Sequence, residues 1–357
     1  MESTGASLTL ADIRRQPALW KRAVEVADES FPLFDRMVKE AGEIIFMGAG
    51  CSYAVALLAQ SIYQQYAGRP CRAAQPMDYF QFPKWVASVP ARSLFVLFTR
   101  SGETTETLEA QRYARKLGAK ILCITATEDA PIPQESHEVI ALPEALEDAL
   151  LPTVSTTAMM MVAQQLGFRS SFEEEVRLIL MERIHEIGEA NIETQIEMGR
   201  AAGQDESLKR AVFLGTGPLY PAAYAASLLW QMATGLPAAC YPSYEFRHGP
   251  MQSCTPDTLV SVMITNGGRK EDIALAREIR QFGKVKLLAN MTDPASGMEK
   301  AEYKDIVGEL VTDYARASLA LPVYQSLAVH KALSLGREPD DLSGHPPIVT
   351  FDLSQYT

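Results

Sequence analysis

The chain has 357 residues, 47% of them hydrophobic and 22% charged, which is the composition of a globular protein with room for two domains. Its formal net charge of −11 opposes binding to nucleic acid, because such binding depends on Lys and Arg side chains that neutralise phosphates. Five cysteines without any C-x-x-C spacing predict neither a disulfide framework nor a zinc site, and they suit a reducing cytoplasm.

The start of the chain is acidic and polar, and it lacks the basic and then apolar pattern of a secretory leader. No apolar run approaches the ~18 residues that a membrane-spanning helix needs. We therefore expect neither export nor insertion into a membrane.

The first half of the chain alternates short apolar strands with helices, after a helical lead-in over 17–41 whose periodicity breaks near Phe31 and Pro32. The apolar runs predict strands at residues 44–47, 94–98, 120–125 and 139–142, with helices at 53–66 and 105–117. Repeated strand and helix units imply a parallel sheet with right-handed crossovers.

The same pattern starts again after a charged connecting helix over 172–203. Leu214-Gly215-Thr216-Gly217 is similar to Met47-Gly48-Ala49-Gly50, which suggests an internal duplication, and further strands are predicted at 211–214, 259–264, 285–289 and 306–311. We predict an α/β fold of two tandem domains, each a parallel sheet flanked by helices in a flavodoxin-like three-layer sandwich. The expected boundaries are a helical lead-in over 1–40, domains over 41–168 and 205–340, a connecting helix over 169–204 and a tail over 341–357.

One loop carries a pattern that is typical of anion binding. Arg100-Ser101-Gly102-Glu103-Thr104 follows the strand at 94–98 and opens a helix, so hydroxyls and backbone amides cluster at a helix N-terminus, where phosphate is favoured. The alternative is that Ser101 caps the helix and no ligand binds. A second such loop, Gly48-Ala49-Gly50-Cys51-Ser52-Tyr53, favours the ligand, because two loops at the ends of parallel strands can face one molecule.

Neither loop matches a Walker sequence or a complete dinucleotide fingerprint. The counterpart in the second half, Thr265-Asn266-Gly267-Gly268-Arg269-Lys270, lacks the Ser-Gly-Glu-Thr arrangement. We therefore expect the first half to bind the ligand and the second half to support it.

These loops, together with Glu245-Phe246-Arg247-His248-Gly249-Pro250, resemble the sugar isomerase family whose members carry two SIS domains. The family includes the isomerase half of glucosamine-6-phosphate synthase, aminosugar-phosphate deaminases and fructosamine-6-phosphate deglycases, and the match extends from about residue 40 to about 340. The resemblance implies a hexose 6-phosphate substrate with an amino or Amadori-type nitrogen, and neither a metal nor an organic cofactor. The substrate-binding residues that it implies are Gly50, Cys51, Ser52, Thr99, Arg100, Ser101, Gly102, Thr104, Ser155 and Arg247.

The resemblance also implies that His248 assists sugar ring opening and reaches into the site of a neighbouring subunit of a homodimer. Histidine suits this role, because its ordinary pKa lies near neutrality and it can take and return a proton. Without the resemblance, a lone histidine beside Gly249 and Pro250 is read as a turn residue.

The chain departs from its relatives at the base that moves a proton between C1 and C2. Relatives carry a glutamate sixteen residues before the histidine, and Met232 occupies that position here. Three explanations stay open: Glu245 serves as the base, the reaction needs only His248, or the chain is a non-catalytic sugar-phosphate sensor or regulatory subunit. In the tail, His345 replaces the usual lysine or, alternatively, belongs to a rigid Pro346-Pro347 segment.

Overall fold

The computed structural model describes residues 6–171, 180–293, 298–308, 311–341 and 350. Its internal contacts divide the chain into two units. Among the described residues, the first-sheet unit comprises those within 19–147 and 154–182, and the second-sheet unit comprises those within 6–18, 148–153 and 183–341. Helix α1 (Ser7–Glu40) therefore begins in one unit and ends in the other.

The first sheet has five parallel strands, β1 (Glu43–Met47), β2 (Cys71–Ala74), β3 (Ser93–Thr99), β4 (Lys120–Thr125) and β5 (Glu138–Ala141). Their order is β2-β1-β3-β4-β5, the flavodoxin arrangement. All residues of β3 are buried, as expected for a parallel strand covered on both faces. The helices of this part are α2 (Cys51–Ala67), α3 (Pro76–Gln81), α4 (Pro83–Val86), α5 (Thr105–Lys116), α6 (Pro131–Gln134) and α7 (Val154–Arg169).

The second sheet repeats this order with β6 (Arg210–Gly215), β7 (Ala238–Pro242), β8 (Thr258–Met263), β9 (Lys286–Met291) and β10 (Tyr303–Ile306). Read from β7, the order is β7-β6-β8-β9-β10, and all neighbours are parallel. The described helices are α8 (Ile184–Gly203), α9 (Tyr220–Thr234), α10 (Arg269–Gly283), α11 (Asp313–Leu319) and α12 (Leu321–Ser334). The predicted α/β class, with two tandem helix-flanked parallel sheets, is confirmed.

The glycine loops that follow β1 and β6 have the same backbone geometry. A Cβ on Gly48 would lie 2.4 Å from the carbonyl oxygen of Ser52, and a Cβ on Gly215 would lie 2.5 Å from that of Leu219. These distances are too short for any side chain, so both positions require glycine. The close turn between strand and helix therefore explains the sequence similarity of the two loops.

The predicted break in the N-terminal helix is wrong, since α1 is one helix that starts ten residues earlier than expected. Buried side chains recur every seven residues along it, at Ile13, Trp20, Ala27 and Phe34. The packing of this stripe offsets the cost of an interior proline such as Pro32, which is about 3 kcal/mol.

The last strand was predicted at 306–311 but lies at Tyr303–Ile306, where its backbone pairs with β9. Edge strands β2 and β7 were not predicted. Of the predicted helix over 172–203, residues 172–179 lie outside the described residues, as does His345 in the tail. No helix in the described ranges is both long and apolar enough to cross a membrane.

Candidate functional site

Two loops meet at the carboxyl edge of the first sheet. The β1 loop (residues 48–52) and the β3 loop (residues 99–104) follow strands that pair directly, with Met47 opposite Leu97. In the order β2-β1-β3-β4-β5 the chain leaves β1 and β3 toward opposite sides, so the edge between the two loops is a topological switch point. This is the usual ligand position in open α/β sheets.

The β1 loop presents a helix N-terminus. Gly50, the N-cap of α2, has a φ of 56°, and no side chain caps the helix, which starts at Cys51. Ser52 is half-buried in the first turn, and its hydroxyl hydrogen has no acceptor among the described residues. The N–H groups of Ser52 and Tyr53 already donate to the carbonyl oxygens of Ala49 and Gly50, so the Ser52 hydroxyl, at the positive end of the α2 dipole, is the donor that the loop offers.

The β3 loop is held in shape by its own side chains. Thr99 is buried and its Oγ1 accepts the N–H of Gly102 at 3.0 Å, while Ser101 Oγ accepts the N–H of Glu103 at 3.3 Å. The N-cap of α5 is Thr104, whose side chain makes no capping bond, so the alternative that Ser101 caps the helix is wrong. The hydroxyl hydrogens of Ser101 and Thr104 have no acceptor within the described part of the chain.

Cys51 is buried, and burial raises the pKa of its thiol to about 12. Nearby Arg100 opposes this shift and Glu147 adds to it. The thiol is therefore neutral and offers the site only a weak hydrogen bond. Across the described ranges, no three His, Cys, Asp or Glu side chains lie close enough together to hold a metal ion.

Ser155 and Arg100 meet at a carboxylate that the sequence analysis missed. The N–H of Ser155, in the first turn of α7, donates to Glu147 Oε1 at 2.7 Å. Arg100 Nη1 lies 3.9 Å from Glu147 Oε2. The Glu147 side chain is only 1% exposed, and burial raises its pKa while Arg100 opposes the rise. An acid shortly before a helix N-terminus is the signal that could have identified it.

The remaining predicted site residues belong to the second-sheet unit. Glu245–Arg247 form a short 3-10 turn after β7, and His248 ends that turn. Phe246 is fully buried and anchors the turn, whereas Glu245 and His248 are exposed on the protomer. Arg247 pairs with Glu278, with 3.1 Å between Nε and Oε2.

The predicted site residues are therefore divided between the two units of the chain. The first-sheet unit holds Gly50, Cys51, Ser52, Thr99, Arg100, Ser101, Gly102, Thr104 and Ser155, and the second-sheet unit holds Glu245, Arg247 and His248. Met232 lies on α9 and is 45% exposed. No residue among the 15 of α9 is charged, so this helix offers no base.

The β8 loop (residues 265–270), the counterpart of the β3 loop, binds carboxylates of its own unit. Asp272 Oδ2 accepts both the N–H of Thr265 at 2.8 Å and its hydroxyl at 2.6 Å. The carboxylate of Asp313 accepts the N–H of Asn266 at 2.9 and 3.1 Å. The N–H groups of Thr265 and Asn266 and the hydroxyl of Thr265 therefore already have carboxylate acceptors.

The family model of the SIS domain matches residues 37–169 and 206–296, more than half of the chain. The chain belongs to the SIS domain family. The first matched segment contains the whole first sheet, and the second contains the second sheet without its last strand, β10.

Curated relatives include phosphosugar enzymes. A Streptomyces coelicolor protein provisionally named D-galactosamine-6-phosphate deaminase AgaS is 28% identical over 356 residues, covering 93% of this chain and 90% of the relative. The glutamine–fructose-6-phosphate aminotransferase (isomerizing) of Xylella fastidiosa strain Temecula1 is 28% identical over 354 residues, covering 92% of this chain. The chain spans only 56% of the length of that second relative.

Solved structures share the fold. Tagatose-6-phosphate ketose/aldose isomerase from Escherichia coli superposes with a TM-score of 0.83 at 23% identity, covering 96% of this chain and 97% of that one. The C-terminal domain of glucosamine-fructose-6-phosphate aminotransferase from Francisella tularensis has a TM-score of 0.82 at 18% identity, covering 95% and 99%. At these identities the likeness establishes the fold.

Proposed function

We propose that the chain is an enzyme of the phosphosugar isomerase and deaminase type that acts on a hexose 6-phosphate. The observation that carries this proposal is that the hydroxyls of Ser52, Ser101 and Thr104 have no acceptor among the described residues. In the β8 loop, by contrast, the donors of Thr265 and Asn266 are bonded to carboxylates. Relatives named for deamination or isomerisation of sugar 6-phosphates support the same class.

In this proposal the phosphate dianion lies between the N-termini of α2 and α5. The hydroxyls of Ser52, Ser101 and Thr104 donate to its oxygens, and Arg100 adds a positive charge. Such local donors are needed because the chain as a whole carries a net charge of −11 and repels anions at long range.

His248 is proposed to open the sugar ring by general acid–base catalysis. Its exposure on the protomer suits a histidine that completes the site of a neighbouring subunit, so we propose a homodimer. Glu245, in the same turn, is the candidate for the C1/C2 proton transfer that Met232 cannot perform. The substrate is proposed to carry an amino or Amadori-type nitrogen at C1 or C2, and the reaction to run in the cytoplasm without an organic cofactor.

Turnover tests the proposal. The protein is incubated with fructose 6-phosphate, glucosamine 6-phosphate and fructoselysine 6-phosphate while ammonia, released amine and ketose are followed. We expect product from at least one substrate, loss of turnover in His248→Asn, and little change in the control His185→Asn, whose histidine lies on α8. Product formation that survives in His248→Asn would contradict the role of His248.

The second candidate is a non-catalytic sugar-phosphate sensor or regulatory subunit. It is favoured by Met232, since a thioether occupies the position of the usual base and α9 carries no charge. Retention of the segment from Glu245 to Pro250 favours the enzyme, because a sensor has no need of a ring-opening histidine. Binding of the same compounds without any product would favour the sensor.

A further inference from the structure

Glu147 is a buried carboxylate with one oxygen bonded and the other without a hydrogen bond. Oε1 accepts the N–H of Ser155 at 2.7 Å, which fixes the start of α7. Among the described residues, buried Oε2 accepts no hydrogen bond, and Arg100 Nη1 is the nearest cation, at 3.9 Å. The carboxylate thus joins α7 to the β3 loop.

Few groups compensate the charge of this carboxylate. Arg100 comes from the β3 loop, Cys51 from the start of α2 and Ser155 from α7. The thiol of Cys51 is neutral, so Arg100 is the cation that acts on Glu147 in the described structure. An ionised carboxylate at 1% exposure is costly without a paired charge, and the side chain would then be neutralised by a proton.

The following inference rests on the proposed function, in which Arg100 contacts the sugar phosphate. We propose that Glu147 is a positioning residue for Arg100 and Ser155, and that a bound sugar phosphate competes with Glu147 for the Arg100 guanidinium, so that Glu147 takes up a proton on binding. The proton passes from the buffer to Oε2, and no other bond changes. Glu147 then remains neutral, with Oε1 still bonded to Ser155, until the ligand leaves.

The inference gives affinity a defined pH dependence. Burial already raises the pKa of Glu147 in the free protein, and losing Arg100 to the ligand raises it further. Between these two pKa values, binding takes up one proton, and the apparent affinity falls up to tenfold for each unit that the pH rises. The second ionisation of the ligand, near pH 6, acts in the opposite direction and is the same for every variant.

Calorimetry of fructose 6-phosphate binding tests this. Titrations in two buffers of different ionisation enthalpy, at several pH values from 6 to 8, give the number of protons taken up. Glu147→Gln keeps the acceptor for the Ser155 N–H but cannot take up a proton. We expect the wild type to take up as much as one proton more than this variant. The matched control is Glu144→Gln, an exposed acid three residues away, which should behave as the wild type does.

Equal proton uptake in the wild type and Glu147→Gln would overturn the inference. If Glu147→Gln does not fold, as judged by thermal melting, Arg100→Gln provides the second test. In Arg100→Gln the ligand has no guanidinium to take from Glu147, so binding should not change the protonation of Glu147 and the proton uptake should disappear. Binding should also be weaker, because the charge of Arg100 is lost. Unchanged proton uptake in Arg100→Gln would overturn the inference.

The outcomes also separate the inference from the proposed function. A wild type that binds fructose 6-phosphate no better than fructose would overturn the proposed function, and the inference with it. Phosphate-selective binding without extra proton uptake would overturn the inference alone.

Discussion

The β3 loop and the β8 loop begin alike. In both, a threonine ends or follows the central strand and its Oγ1 accepts the N–H of a glycine three residues later, at 3.0 Å for Thr99 with Gly102 and for Thr265 with Gly268. Both loops then lead into a helix at the carboxyl edge of a sheet of the same strand order. The strand order and this turn therefore do not distinguish the two loops, and the proposal of a ligand at only one of them needs another difference.

The carboxylates around the loops account for the difference. Seven residues after Thr265, helix α10 carries Asp272, which accepts two hydrogen bonds from Thr265, and Asp313 accepts the N–H of Asn266. At the same spacing after Thr99, helix α5 carries Glu106, whose Oε2 is buried and accepts no hydrogen bond from the described residues. The Thr265 and Asn266 donors of the β8 loop are satisfied by carboxylates of their own unit, whereas the hydroxyl hydrogens of Ser101 and Thr104 have no acceptor among the described residues, and the proposed phosphate site rests on this difference.

The largest effect is expected from Ser101→Ala combined with Thr104→Ala. Each hydroxyl bonded to a charged phosphate contributes about 1.5–3 kcal/mol, so the double variant should weaken binding of fructose 6-phosphate more than about 100-fold. Affinity for the unphosphorylated sugar and the melting temperature of the free protein should change little. Equal weakening for both sugars, measured by calorimetry, would count against the phosphate assignment.

Asp272→Ala should affect stability and leave binding unchanged. It removes the acceptor of two buried donors of Thr265, which costs about 2–4 kcal/mol in the free energy of unfolding. Glu106→Ala, the matched change beside the β3 loop, breaks no described hydrogen bond and should cost less than about 1 kcal/mol. Urea denaturation measures both, and similar losses would refute the contrast between the two loops.

A pH-dependent difference is expected between the two sheets. The Ile124 and Ile140 pair of β4 and β5 corresponds in register to Asn290 and Asp305 of β9 and β10. Burial raises the pKa of Asp305 to about 6 from its usual value of 3.8. The folded form therefore binds the proton more tightly than the unfolded chain does, and stability is lost as the pH rises from about 4 to 7.

Asp305→Asn should remove this part of the pH dependence, which amounts to at most about 3 kcal/mol because the folded and unfolded pKa values differ by about two units. Chemical denaturation at pH 4, 5.5 and 7 measures it as the difference between wild type and variant. A difference that stays constant over that range would show that Asp305 does not titrate as inferred.

The smallest effects are expected from Gly48→Ala and Gly215→Ala. Both new Cβ atoms meet a backbone oxygen within 2.5 Å, so each variant should lose about 1–2 kcal/mol of stability. Only Gly48→Ala, which displaces the β1 loop, should also weaken binding of fructose 6-phosphate. Loss of binding in Gly215→Ala as well would mean that the glycine loop after β6 contributes to the ligand site.

Much of the fold could be predicted from local patterns. The strands of the first sheet that are buried on both faces form continuous apolar runs, so β1, β3 and β4 were identified to within a residue at either end. Edge strands β2 and β7 were missed because each is only partly buried and has no such run. The continuity of α1 was missed because local proline signals were weighed without the packing that opposes them.

The amino-acid order alone specified the glycine turns, the buried strands and the hydroxyl-rich loop, because each depends on neighbours within a few residues. Only the tertiary structure decided which hydrogen-bond donors have an acceptor among the described residues and which do not. Asp313 reaches the amide of Asn266 from 47 residues away, and Glu147 meets Arg100 across a similar separation. Whether a polar group is satisfied depends on the partners that folding brings to it, and a local pattern does not contain them.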